Sequence, residues 1–286
     1  MSSGLRLNPR IVQCAIFCVL AEACAYVQAS PLEIPLVLRD GARVAGNRIA
    51  DYPSAFDAIL QVLVDRFALP IPARYVVEIY PAREEFEAAL VGNLKMKPAV
   101  ARTTATFAKA AVGNRKVLVN EMAMAELDWP QRVLTLAHEL VHTTQLELAG
   151  HRSLVRYQWL VEGFAEWIAF HVVDSLGIED LAAARARMAA EVREVRRSGP
   201  LPELRQLDSL EDWITARNAR GFKSTYPLSF LVMDYLVERH SLPKVADYFR
   251  HFRSSGDHVA NFSAAFGEDL GNFQGALDRH LAKLLD

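Results

Sequence analysis

The chain has 286 residues, of which 51% are apolar and 23% charged, with 14 Gly and 13 Pro. It is too apolar for a disordered tail and too poor in Gly and Pro for a fibrous or low-complexity protein. Its 32 basic residues stand against 34 acidic ones, a net charge of −2, so the basic excess of a nucleic-acid binder is missing.

Arg6 and Arg10 precede an apolar run from Ile11 to Ala29, interrupted by Gln13, Glu22 and Gln28. A basic start, an apolar middle and a small-residue end describe a secretory signal peptide over residues 1–29. Val27-Gln28-Ala29 is the preferred cleavage site and Ala23-Cys24-Ala25 the second. The competing reading is a retained membrane anchor, which Glu22 inside the run disfavours. No other stretch approaches the ~20 apolar residues of a membrane-spanning helix. All three cysteines (Cys14, Cys18 and Cys24) lie in this segment. The mature chain is therefore expected to be cysteine-free and exported, periplasmic or secreted.

Residues 30–127 read as an α/β subdomain. Leu36-Val37-Leu38 is a short strand candidate. Ser54 to Phe67 has helical spacing, with Ser54 as cap. Arg74 to Tyr80 is β-branched and aromatic and predicts a strand, ended by Pro81. A short helix follows over Ala82–Val91. Thr103–Ala108 and Lys116–Asn120 read as two strands, with Gly113-Asn114 in the connection. The first of these is a candidate sheet edge for pairing with an extended substrate.

Residues 128–286 read as helical. Asp128 with Gln131 forms a capping-box variant, and Pro130 lies in the first turn, where it is tolerated. That helix runs to about Leu148. Further helices fit Tyr157–Leu176, Glu179–Arg197, Pro227–His240, Pro243–Arg253 and Leu270–Leu285.

The chemistry-bearing residues fall on the first two of these helices. His138-Glu139-Leu140-Val141-His142 is an HExxH motif. Residues i and i+4 share a helix face, so both imidazoles can reach one Zn²⁺. Glu139, turned by about 100°, can stand beside the ion instead of on it. The next helix carries Trp159-Leu160-Val161-Glu162-Gly163-Phe164-Ala165-Glu166-Trp167. Glu162 and Glu166 are an i,i+4 pair in an apolar context, where a carboxylate needs a cation or a donor. Either can supply a third ligand, and spacing does not choose between them.

HExxH followed by WLVEGFAEW resembles the gluzincin zinc metallopeptidases of the peptidase MA group, and within them the aminopeptidase-like branch. The close match covers about thirty residues. More loosely, the Val76–Phe86 segment and the helical tail resemble the peptidase MA-like family of exported bacterial proteins. The resemblance implies that His138, His142 and Glu162 hold one Zn²⁺ and that Glu139 is the general base. It implies that Glu166 orients a ligand histidine. Tyr226, 64 residues after Glu162, either takes the place of that branch's oxyanion-stabilising tyrosine or is a core tyrosine. His171 reads as a packed histidine more than as a spare ligand. The motif that binds a free substrate amine is not found in this chain, so aminopeptidase activity is not implied.

The expected fold is α+β: a small mixed β-sheet subdomain, then a mainly helical zincin-like subdomain, with the zinc cleft between them. The expected function is zinc-dependent hydrolysis of a peptide or protein substrate. The alternative is a catalytically silent zinc-binding envelope protein that holds a peptide or cell-wall partner. Nothing in the sequence names an oligomeric state.

Overall fold

The computed structural model describes residues 31–37, 46–72, 74–154 and 156–286. The expected signal peptide, and Leu38 of the first strand candidate, lie outside the described residues.

Among the described residues, four short strands make one mixed sheet. They are β1 (Leu32–Pro35), β2 (Val76–Tyr80), β3 (Ala110–Gly113) and β4 (Lys116–Asn120), in spatial order β1-β2-β4-β3. β2 and β4 run parallel at the centre, and each outer strand pairs antiparallel with its neighbour. Alternation sorts the side chains by face. Val77, Ile79, Val117 and Val119 enter the main core, whereas Tyr80 and Leu118 enter a smaller one with Phe86, Leu90, Ala101 and Ala105. β3 and β4 are joined through Asn114 and Arg115, with φ of 48° and 59°. Positive φ at both central residues is the geometry that matches the twist of a two-residue hairpin.

Twelve α-helices occur among the described residues: α1 (Tyr52–Asp65), α2 (Arg83–Gly92), α3 (Pro98–Ala105), α4 (Glu121–Met124), α5 (Trp129–Leu148), α6 (Gln158–Ser175), α7 (Leu181–Ser198), α8 (Leu210–Arg220), α9 (Tyr226–His240), α10 (Leu242–His251), α11 (His258–Phe266) and α12 (Leu270–Leu285). The fold is thus α+β, and residues 31–286 form one compact unit. The main core is shared by the sheet and the helices, from Ile34 to Leu285. None of the described helices is long and apolar enough to cross a membrane.

Three local expectations are corrected. Thr103–Ala108 is not a strand, because Thr103, Thr104 and Ala105 end α3. Pro98 starts that helix, and Ala101 and Ala105, one turn apart, are buried. Thr103 Oγ1 donates to the Ala99 carbonyl, one turn back. Burial of small residues at helical spacing outweighs the β preference of two threonines, which is a weak prior. The cap of α1 is Asp51, whose side chain accepts from Ser54 N at 2.8 Å, so Ser54 lies inside the helix. The first strand is Leu32–Pro35, and Leu36 and Val37 follow it.

Three helices frame the site. α5 starts at the capping box of Asp128 and Gln131. α6 is buried on nearly every side, from Trp159 to Val173, as a central helix must be. Its entry is fixed by Asp208, which accepts from Tyr157 N at 2.7 Å and pairs with Arg156. α9 packs tightly on α6: a β carbon on Gly163 would lie 2.6 Å from the Ser229 carbonyl oxygen.

Candidate metal centre

α5 and α6 pack antiparallel. His138 meets Glu166 and Glu162, while Gln145, two turns later, meets Val161. This register brings three donor atoms together. His138 Nε2 and His142 Nε2 are 3.1 Å apart, and Glu162 Oε2 lies 3.2 Å from the first and 3.7 Å from the second. Their side chains are 12%, 18% and 11% exposed. A tetrahedral ion ~2.0–2.1 Å from each donor would hold its ligands about 3.3–3.4 Å apart. The three observed separations bracket that value, so the group can hold a metal ion.

Each of the three is held from behind. His138 Nδ1 donates to Glu166 Oε2 at 2.9 Å. His142 Nδ1 donates to Gln145 Oε1 at 2.8 Å, and Gln145 Nε2 donates to the Val161 carbonyl at 2.7 Å. Gln158 Nε2 donates to the other oxygen of Glu162 at 2.7 Å. With Nδ1 of both rings donating, both Nε2 atoms point their lone pairs at one place, beside a carboxylate oxygen. Such a convergence calls for a cation, a proton at the least.

The titration directions agree. Burial disfavours the charged ring of His138, but hydrogen bonds to Glu162 and Glu166 outweigh it and hold the group well above the ordinary histidine range. Burial disfavours the Glu162 carboxylate, and His142 and His138 overcome this and keep it low. Burial pushes Glu139 up, against the pull of His142 and His138.

Glu139 lines the same cleft, and no group among the described residues hydrogen-bonds its carboxylate. Tyr226, at the start of α9, is brought to the site as well. Its ring lies 5.9 Å from that of His138, edge-on to Trp213 and stacked on Phe222. Burial, then the carboxylates of Glu162, Glu166 and Glu139, hold its phenol well above the ordinary range. It remains a donor. The six residues singled out in the sequence thus share one locale.

His171 is elsewhere. Its Nδ1 donates to the Trp167 carbonyl at 2.8 Å, and burial lowers its pKa to about 4. His240 pairs with Glu268, and His280 stacks on Tyr235. Sequence reasoning missed Gln145 and Gln158. The signal was there, since Gln145 lies three residues after His142 and Gln158 four before Glu162, both helical-neighbour spacings.

The cleft measures about 780 Å³. β3 forms one wall. Among the described residues it pairs only with β4, so its other edge is unpaired, and all four of its residues line the cleft. The sheet edge at the site is therefore Ala110–Gly113, not Thr103–Ala108.

Comparison with protein-family models, curated proteins and solved structures finds no match.

Proposed function

We propose that this chain is a zinc-dependent metallohydrolase that cleaves peptide bonds. The observation that carries the reading is the convergence of His138, His142 and Glu162, each fixed by a second group, beside an unpartnered Glu139. Two imidazoles and one carboxylate are a donor set suited to catalytic zinc, with one position left open.

His138, His142 and Glu162 would hold the ion. When bound, zinc would supply Lewis acidity and lower the pKa of water at the open position. Glu139 takes the proton of the attacking water and returns it to the leaving amine. A carboxylate with no competing hydrogen bond is free for both steps. Tyr226 donates its phenolic hydrogen to the oxygen of the tetrahedral carbon. Glu166 and Gln145 keep the two imidazoles in the tautomer that presents Nε2. The free edge of β3 gives an extended peptide backbone something to pair with.

The test is metal content together with turnover. Protein reconstituted with zinc should retain about one ion per chain. Glu139→Gln should keep the ion and the fold and lose cleavage of a casein or peptide-library substrate. A metal-free protein after reconstitution, or equal cleavage by the variant, would overturn the reading.

A further inference from the structure

The cleft walls away from the metal group carry a charge that the chain as a whole does not. Arg115, Arg152 and Arg217 line it, and among the described residues Glu139 and Glu162 are its only acidic lining residues. Arg217 is engaged with the cleft mouth, its guanidinium 5.2 Å from the Phe107 ring centre and 5.8 Å from that of Phe222. Arg115 and Arg152 are different. Both are exposed, and neither forms an ion pair among the described residues. Arg115 comes from the β3–β4 turn, where its Nη2 lies 3.4 Å from His151 Nε2. Arg152 follows His151 in the α5–α6 loop. The nearby acid, Glu147, has its Oε1 3.2 Å from the same His151 nitrogen, buried without a hydrogen-bond partner, and does not line the cleft.

Position gives this pair a meaning. The cleft follows α5 from His138 to its C-terminal end, and β3 runs beside it to the turn that bears Arg115. From His142 to His151 the chain advances roughly 10–13 Å, at 1.5 Å per helical residue. An extended peptide covers that in about three to four residues, at ~3.3 Å each. The cleft is also lined by exposed apolar side chains, Val100 and Phe107, and Leu210 and Ile214 of α8, whose Trp213 packs edge-on to Tyr226 beside His138.

Resting on the peptidase reading, we infer that the substrate is an extended peptide with bulky apolar residues at the scissile bond and a carboxylate three to four residues away, received by Arg115 and Arg152. That carboxylate is an acidic side chain or the chain terminus. Two cations without acidic partners, at the end of a sheet edge, select for it by charge complementarity. A peptide with a cation at that place meets repulsion instead.

The test separates binding from turnover. Fluorescein-labelled peptides of four apolar residues carry two Glu, or two Gln, on either side, each with a free or amidated C-terminus. Their anisotropy is titrated with zinc-reconstituted Glu139→Gln protein. The Glu peptides should bind roughly tenfold tighter than the Gln peptides at low ionic strength, with the gap narrowing in salt. Adding Arg115→Gln and Arg152→Gln should reduce the gap to about twofold, with unchanged circular dichroism. A gain confined to the free C-terminus would support the inference with a chain terminus as the source. A gain that follows Glu would support it with a side chain. Equal affinity for all peptides, or a preference that survives both arginine substitutions, would overturn it. Turnover of the same peptides by wild type is read separately. Cleavage without charge preference sinks this inference alone, and charge-selective binding without cleavage sinks the hydrolase reading alone.

Discussion

Gln145 Oε1 lies 2.8 Å from His142 Nδ1, and its amide nitrogen holds the Val161 carbonyl of the neighbouring helix. One buried side chain thus fixes the His142 imidazole and ties α5 to the turn of α6 that carries Glu162. Removing it should free the ring and leave its Nδ1–H without an acceptor, while the Val161 carbonyl keeps its own bond within α6. Gln145→Ala is expected to weaken zinc binding by about 10–100-fold, read by chelator competition. Gln145→Glu still accepts from Nδ1 but cannot donate to the Val161 carbonyl, and it should recover part of that affinity. A general loosening of the core would not be rescued this way.

The two carboxylates of α6 have separable roles. Glu162 Oε2 lies 3.2 and 3.7 Å from the two Nε2 atoms, whereas Glu166 contacts the back of the His138 ring. Glu162→Ala should abolish tight zinc binding. Glu166→Ala should cost about 10–100-fold, because it removes an orienting partner and leaves all three donors. Equal losses in the same competition titration would reverse the assignment.

Gly163, beside Glu162, has no room for a side chain against Ser229. The obstacle is backbone, so the helices must move apart. Gly163→Ala should destabilise the fold by about 1–3 kcal/mol, despite the better helix propensity of alanine. Thermal unfolding would show it as a lowered Tm, and a variant as stable as wild type would contradict the packing.

His171 gives the fold a pH dependence of known sign. It is buried neutral against Trp167, with a pKa lowered to about 4. Unfolding returns it to its ordinary value near 6.5. Between those limits the unfolded chain binds a proton that the folded chain refuses, so this contribution is fully present above about pH 6.5 and lost as pH falls toward 4. The loss should reach about 2–3 kcal/mol by pH 4.5. His171→Phe, which keeps an aromatic ring, should flatten the slope of urea-unfolding stability between pH 7 and 4.5. An unchanged slope would place the dependence elsewhere.

The sequence by itself determined what is local. Asp128 and Gln131 mark the start of α5, Lys116–Asn120 is β4 to the residue, and Leu270–Leu285 is α12 to the residue. HExxH is legible for the same reason, because one helical turn places both imidazoles on one face. Tertiary structure decided what depends on distant partners. Thr103–Ala108 became the end of a helix because Ala101 and Ala105 found an apolar pocket under α2. α8 and α11 were not anticipated, and Trp213 of α8 is buried against Tyr226. Glu162 and Glu166 are alike in spacing, and in the sequence only the Trp159-Leu160-Val161-Glu162-Gly163-Phe164-Ala165 resemblance favours Glu162. The antiparallel register of α5 and α6 is what aims one at the two Nε2 atoms and the other at Nδ1 of His138. That register is set by Gly163, Asp208 and the burial of α6 on nearly every side, contacts between residues far apart in the chain, which no local periodicity encodes.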